Sequence, residues 1–162
     1  MNNFTKLIGA GILTLICTTG AQSDPLSKSL VDDPVLEAVK RTGTSVQVDT
    51  AMCRRKKFFG LYEYGNRPYI DRLTICLSRH EGDVEELMDT IRHEAIHVAQ
   101  ACRGGEIFSR GYVAKLADPE VRKTVTTDYS KDDWESELEA FVIADHATHQ
   151  EVAELVTKEC KR

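Results

Sequence analysis

The sequence predicts an α+β domain in which a small antiparallel sheet or hairpin packs against two long helices. Three observations predict it. Residues 51–77 alternate with a period near two, residues 83–104 carry an amphipathic helical pattern with both ends marked, and a second helical pattern begins near Ser130 or Asp132 and runs to about Lys158. A chain of 162 residues is long enough for one self-sufficient core, so we expect a single domain.

The N-terminus has the pattern of a secretory signal peptide. Lys6 precedes an apolar run from Leu7 to Gly20, and Ala21-Gln22-Ser23 supplies small residues at cleavage spacing. We therefore predict a signal peptide over residues 1–23 and an exported domain over residues 24–162, secreted or periplasmic. The apolar run is shorter than the ~20 residues of a membrane-spanning helix, so we expect no membrane association after cleavage. A lipid anchor at Cys17 is the less favoured alternative, since Ile16 stands where anchors need a small residue.

The charge of the chain disfavours nucleic acid as a partner. The net charge is −5, and removal of the signal peptide with its one lysine and no acid takes it to −6. Phosphate backbones require a basic surface, which this composition lacks. The one basic run, Arg54-Arg55-Lys56-Lys57, is better explained as a solvated strand end than as a docking patch.

Residues 24–50 allow two interpretations. Pro34 to Arg41 is a short amphipathic pattern with Asp32 or Asp33 available as a cap and Gly43 at its end. This segment could be an N-terminal helix of the domain or a propeptide.

The alternating segment resembles a hairpin. "KKFFGLYEY" leads out, Gly65-Asn66 turns and "YIDRLTICL" returns, which places Cys53 almost opposite Cys76. Four cysteines remain after signal cleavage, an even number that suggests two disulfides in an exported chain. We predict Cys53–Cys76 from the hairpin and Cys102–Cys160 by elimination, with unpaired buried thiols as the alternative.

"TIRHEAIHVAQACRGG" carries two histidines four residues apart on the first long helix. One stripe of that helix is apolar, and His93 and His97 lie on nearly the opposite side; the stripe comprises Val84, Leu87, Ile91, Ala95, Val98 and Cys102. Imidazoles at i and i+4 can reach one Zn²⁺ about 2.0–2.1 Å from each ring nitrogen. Glu94 then lies beside the water rather than on the metal, where it can act as general base. Two surface histidines are the alternative.

A catalytic zinc site needs a third protein ligand. The last helical pattern offers five candidates: Glu135, Glu137, Glu139, His146 and His149. Steps of 100° place Glu137 among the apolar side chains, whereas Glu135, Glu139 and His146 face solvent and His149 lies to the side. A carboxylate on a core-facing stripe must be paired or bind a metal, so Glu137 is the predicted ligand.

Alternatives remain open around Glu137. Its carboxylate could instead pair with Arg92 or Arg103. Asp145 and Thr148 are possible hydrogen-bond partners for a ligand histidine.

"HEAIH" followed by "ELEAF" resembles the gluzincin metallopeptidases, in which a second helix carries Glu-x-x-Ala-Asp or a relative of it. The resemblance implies a zincin-like fold, zinc bound by His93, His97 and Glu137, and Glu94 as general base and acid in peptide hydrolysis. It aligns Phe141 with the aspartate of many members. It also implies that the strand "RLTICL" could add an extended substrate at the sheet edge.

From these residues we predict a small secreted metallopeptidase that uses Zn²⁺ to hydrolyse a peptide or protein substrate. Candidates to stabilise the oxyanion are Tyr129, Tyr112 and His149. Two rivals remain: a non-catalytic exported domain stabilised by zinc, and a binding module held by disulfides without metal.

Overall fold

The computed structural model describes residues 25–55, 57–66 and 69–161, so the predicted signal peptide lies outside the described part. The described chain is α+β, as predicted, with eight α-helices, one short 3-10 helix and a three-stranded sheet. The elements are α1 (Pro25–Ser29), α2 (Pro34–Thr42), β1 (Ser45–Val48), α3 (Ala51–Arg55), β2 (Gly60–Asn66), β3 (Tyr69–Ile75), the 3-10 helix Leu77–Arg79, α4 (Val84–Arg103), α5 (Arg110–Leu116), α6 (Pro119–Asp128), α7 (Trp134–His146) and α8 (His149–Glu159).

The sheet is mixed, which differs from the predicted antiparallel hairpin. Its order is β1-β3-β2: β2 and β3 are antiparallel, whereas β1 runs parallel to β3 with Ser45 opposite Arg72. The predicted hairpin strands are therefore confirmed, and a third strand joins them. Gly65 and Asn66 are paired within β2, so the turn predicted at these two residues is wrong; residues 67 and 68 lie outside the described part.

Residues 34–48 contribute to the core. Helix α2 begins at Pro34, where the Asp33 carboxylate accepts a hydrogen bond of 2.9 Å from the Leu36 amide, and it ends at Gly43 with φ of 98°. Its apolar face, with Val35 and Val39 fully buried, packs against α4 and α8. In the folded domain this segment supplies a core helix and, in β1, a strand.

Helix α4 forms where the sequence predicts it. The Asp83 carboxylate caps it by accepting from the Glu86 amide, and Gly104 ends it with φ of 83°. The Glu86 carboxylate lies 3.2 Å from His80 Nδ1 instead of closing a capping box. The middle of the predicted stripe is buried, whereas Val84 and Cys102 at its two ends are exposed.

The C-terminal segment forms two helices, α7 and α8, instead of the predicted single helix. Ala147 and Thr148 have extended backbone angles, and a capping box between Thr148 and Glu151 starts α8. Val152 and Leu155, which a single helix would place on the same apolar stripe as Glu137, therefore lie on a different helix from it. The segment between α4 and α7 contains two further helices, α5 and α6.

Both predicted disulfides are present, with S–S distances of 1.99 Å for Cys53–Cys76 and 2.05 Å for Cys102–Cys160. The hairpin alone does not explain the Cys53–Cys76 pair, because Cys53 lies on α3 and not on a strand. Strand β1 runs beside β3 and leads into α3, which brings Cys53 next to Cys76. Two disulfides are typical of an oxidising, extracytoplasmic compartment. No described helix is both long and apolar enough to cross a membrane.

We expect the Cys102–Cys160 disulfide to contribute more stability than Cys53–Cys76. Its half-cystines are 58 residues apart against 23, and a longer closed loop removes more entropy from the unfolded chain. Replacement of the Cys102–Cys160 pair by serines should lower the free energy of unfolding by about 4 kcal/mol, and replacement of the Cys53–Cys76 pair by about 3.5 kcal/mol. Urea titration measures both values. A loss below about 1 kcal/mol for the Cys102/Cys160 variant would contradict this account.

Candidate metal centre and active site

Helices α4 and α7 bring three metal-ligating side chains together. His93 Nε2 and His97 Nε2 are 3.1 Å apart, because the two residues lie one helical turn apart on α4. The Glu137 carboxylate, on α7, lies 3.3 Å from His93 Nε2 and 3.5 Å from His97 Nε2. All three side chains are about 15% exposed, with values of 13, 16 and 15%. The structure thus brings together the three predicted ligands and shows that they could hold a metal ion.

These distances fit a tetrahedral zinc site. Bonds of about 2.0–2.1 Å place the ligand atoms of such a site about 3.3–3.4 Å apart. Glu137 Oε2 is also buried and has no hydrogen-bond partner among the described residues, which is unfavourable for a carboxylate oxygen unless a cation binds it. The residues therefore fit a zinc ion.

The alternative partners of Glu137 are engaged elsewhere. Arg92 donates to the Ala144 carbonyl oxygen at 2.8 Å and pairs with Asp89, and Arg103 pairs with Glu159 at 2.9 Å. The predicted possibility of an arginine salt bridge to Glu137 is therefore wrong.

The charges of the cluster stabilise one another. Burial raises the pKa of Glu137, but the neighbouring imidazoles of His93 and His97 outweigh this effect and lower the pKa to about 2. Burial lowers the pKa of His97, yet the carboxylates of Glu137 and Glu94 raise it above its usual value. A carboxylate that is charged down to low pH is a suitable metal ligand.

Glu94 is placed beside the cluster as the motif predicts. Its side chain is buried under β2, where the Tyr62 backbone amide hydrogen-bonds to it. Burial raises the pKa of Glu94, and this effect outweighs the opposing charges of His93 and His97. A raised pKa makes this carboxylate a stronger base.

Gly60 allows β2 to approach α4 closely. A Cβ at this position would lie 2.6 Å from Glu94 Cγ and 2.7 Å from Thr90 Cγ2, closer than any real contact. The absence of a side chain at residue 60 therefore sets the distance between the strand and the general-base candidate.

We predict that Gly60→Ala lowers the free energy of unfolding by about 1–3 kcal/mol, because the strand or Glu94 must move. Gly111→Ala is the matched control, since nothing lies within 4 Å of a Cβ there and alanine favours its helix by up to about 1 kcal/mol. Denaturant titration of the two variants gives the comparison. Equal stabilities would show that the close approach at Gly60 is not constrained.

The open edge of the sheet near Glu94 belongs to β2. Strand β3, which contains the predicted "RLTICL", is the central strand and is paired on both sides, so the expectation that it receives a substrate strand is wrong. The Ile75 carbonyl accepts from the Asp49 amide on the β1 side, and Gly60 lies opposite Ile75 on β2. Alternation along antiparallel strands then directs the Gly60 backbone groups to the open edge.

A cleft of about 1190 Å³ opens onto the cluster. His93 and Glu94 line one side, Phe59 and Gly60 the next, and Tyr129 from the end of α6 faces them. Of the three candidates for an oxyanion donor, Tyr129 is the one that lines this cleft. Burial, followed by the charges of Glu137 and Glu94, raises its pKa, so its hydroxyl stays protonated and can donate.

Comparison with known families gives one result. The chain belongs to a domain family of unknown function, DUF8637. The family model matches residues 23–161, which is almost all of the predicted mature domain. No curated protein and no solved structure matches the chain. Because DUF8637 carries no assigned activity, the function of this member has to be argued from its own site.

Four other predicted candidates of this DUF8637 member lie away from the cluster. His149 Nε2 lies 2.7 Å from the buried Asp33 carboxylate, at the junction of α8 and α2. His146 is exposed and its Nδ1 donates to the Val142 carbonyl oxygen, and Glu135 pairs with Arg110 at the surface. Tyr112 is exposed and contacts Phe108.

Glu139 is the clearest error of the helical projection. It was predicted to face solvent, yet only 1% of it is exposed. Its carboxylate accepts from the amides of Ile107 and Phe108 and from Gln100 Nε2, at 2.6–3.0 Å. The segment between α4 and α5 folds back over α7 and covers the face of α7 that carries Glu139. A projection of α7 alone does not include this contact.

The residue that supports His97 was also not predicted. Gln100 Oε1 accepts from His97 Nδ1 at 2.8 Å, whereas Asp145 is exposed beside His146 and Thr148 caps α8. The proposed roles of Asp145 and Thr148 next to a ligand histidine are therefore wrong. The i, i+3 spacing of His97 and Gln100 was a signal that could have identified this contact. Phe141 packs against the His93 ring with centroids 4.4 Å apart.

Proposed function

We propose that this protein is an exported zinc metallopeptidase with His93, His97 and Glu137 as ligands and Glu94 as general base. One observation carries the proposal: the three ligand atoms lie 3.1–3.5 Å apart, and an open cleft is lined by one of the ligands, His93, and by the buried carboxylate of Glu94, which is not part of the triad. A purely structural zinc site is normally closed by four protein ligands, whereas three ligands leave a position for water. The two disulfides and the signal pattern support export.

When bound, zinc supplies a Lewis acid that activates water and polarises the scissile carbonyl. The chain's own residues carry the proton. Glu94 takes the proton of the attacking water on its carboxylate and then delivers it to the leaving amine. The Tyr62 amide orients Glu94 for both transfers. The Tyr129 hydroxyl, across the cleft, donates a hydrogen bond to the developing oxyanion.

The surroundings of the cleft indicate how a peptide would bind. The open edge of β2 at Gly60 can pair with an extended backbone as an added strand. Phe59, Val121 and Phe141 provide apolar lining, and the carboxylates of Asp118 and Asp128 border the cleft. A test library should therefore contain apolar and basic residues on both sides of each cleavable bond.

The first experiment measures the metal content of the mature protein, purified from the exported fraction without a histidine tag or chelator. We expect about one zinc per chain, no zinc in His97→Ala, and cleavage of the library that stops in chelator and returns with Zn²⁺. Zinc without cleavage by any peptide would favour the non-catalytic zinc domain. A folded, monodisperse wild type without zinc would reject the proposal and favour the disulfide-stabilised binding module.

A further inference from the structure

The hydrogen bonds of Gln100 determine the orientation of its side-chain amide. Its Nε2 lies 2.9 Å from the Ser136 carbonyl oxygen and 2.8 Å from Glu139 Oε2. Ser136 O can only accept, and both Glu139 oxygens already accept from backbone amides, so the NH₂ group must face these two residues. Gln100 Oε1 therefore faces His97.

This orientation determines which nitrogen of His97 carries the proton. Gln100 Oε1 can only accept, so the His97 Nδ1 at 2.8 Å must be the donor. In the neutral ring the lone pair is then on Nε2, the nitrogen that faces His93 and Glu137. His93 has no such support, since its Nδ1 is buried without a partner among the described residues.

Glu139 connects this pair to a wall of the cleft. Its two oxygens accept from the amides of Ile107 and Phe108, at 2.6–3.0 Å, in the segment between α4 and α5. That segment leads through α5 into α6, which carries Val121 and Tyr129 along the cleft. A continuous path of hydrogen bonds therefore joins His97 to the backbone that precedes the wall.

We propose that Gln100 and Glu139 form a positioning relay that presets His97 as an Nε2 metal ligand and ties it to the 107–108 backbone. Neither Gln100 nor Glu139 lines the cleft, so both act through His97. The metal-affinity part of this proposal rests on the proposed function, whereas the tautomer of His97 in the metal-free protein does not.

The direct test is ¹⁵N NMR of the histidine rings in the metal-free, disulfide-intact wild type at alkaline pH. We expect His97 to be the Nδ1–H tautomer. His97→Gln assigns the signals by their loss. Finding His97 as the Nε2–H tautomer would overturn the relay, whatever the protein binds.

Two variants test whether Gln100 acts through His97. Gln100→Met keeps most of the side-chain volume and removes the acceptor, so we expect mixed tautomers and Zn²⁺ affinity about 10–100-fold weaker by chelator competition. The double exchange Gln100→Glu with Glu139→Gln restores an acceptor opposite His97 Nδ1 and a donor between the two residues, at the cost of the Ser136 contact. We expect it to recover the Nδ1–H tautomer and most of the affinity.

His149→Ala is the control, because it breaks another half-buried histidine–acid pair, with Asp33, away from the cluster. It should lower stability without changing Zn²⁺ affinity or the His97 tautomer. Unchanged tautomer and affinity in Gln100→Met, or a double exchange that recovers neither, would contradict the relay. If the wild type binds no Zn²⁺, the proposed function fails while the tautomer measurement still decides the relay.

Discussion

Glu94→Gln is expected to lower kcat for peptide hydrolysis by about 10²–10⁴-fold while zinc stays at about one ion per chain. Glutamine keeps the size of the side chain and an oxygen that can accept from the Tyr62 amide, but it is too weak a base to take a proton from water. Zinc should remain because Glu94 is not one of the three clustered ligands. Steady-state kinetics and metal analysis of the same preparation measure both quantities.

Glu135→Gln is the control for loss of one negative charge. Glu135 lies on α7 at the surface and pairs with Arg110, so its replacement should leave kcat and zinc content unchanged. Wild-type activity in Glu94→Gln would reject the general base. Loss of zinc together with activity would instead make Glu94 part of the metal site.

Glu137→Ala should weaken Zn²⁺ binding by more than the roughly 10–100-fold typical of residues that only support a ligand, because a ligand itself is lost. The fold should survive, since the Glu137 side chain is partly exposed and its backbone amide still donates to the carbonyl oxygen of Asp133, the N-cap residue of α7. Competition with a chromogenic chelator gives the affinity, and circular dichroism of the metal-free protein tests the fold.

Glu139→Ala provides the comparison on the same helix. It leaves all three ligands in place but removes the acceptor for Gln100, Ile107 and Phe108, so it should destabilise the fold by about 1–3 kcal/mol and weaken Zn²⁺ less than Glu137→Ala. Equal Zn²⁺ affinities in Glu137→Ala and Glu139→Ala would contradict the assignment of Glu137 as the third ligand.

The site was predictable where local spacing decides geometry. His93 and His97 meet because one helical turn separates them, and Asp83 and Gly104 fix the ends of their helix through contacts within four residues. Glu137 was found by its face on α7, a local property that holds although the helix ends at His146. The disulfide Cys102–Cys160 followed from counting cysteines.

Two of the errors, at Glu139 and in the order of the strands, come from contacts between distant segments. Glu139 is buried because the Ile107–Phe108 backbone folds over it, 31 and 32 residues away in sequence, and no periodicity within α7 records that contact. β1 pairs in parallel with β3, on the side of β3 that faces away from β2. Strand β3, which was expected at the edge of the sheet, is therefore its central strand. The break at Thr148 was local, and its capping box with Glu151 is visible in the sequence.

The sequence by itself determined the α+β class, the motif helix, the three candidate ligands, the carboxylate beside them and both cysteine pairs, because helical periodicity, capping and residue chemistry act over a few residues. The tertiary structure alone decided which strand is open beside Glu94, which tyrosine lines the cleft, and how Gln100 and Glu139 support His97. Those features depend on the packing of segments that are far apart in the chain. Their positions follow from the balance of burial and hydrogen bonding over the whole domain.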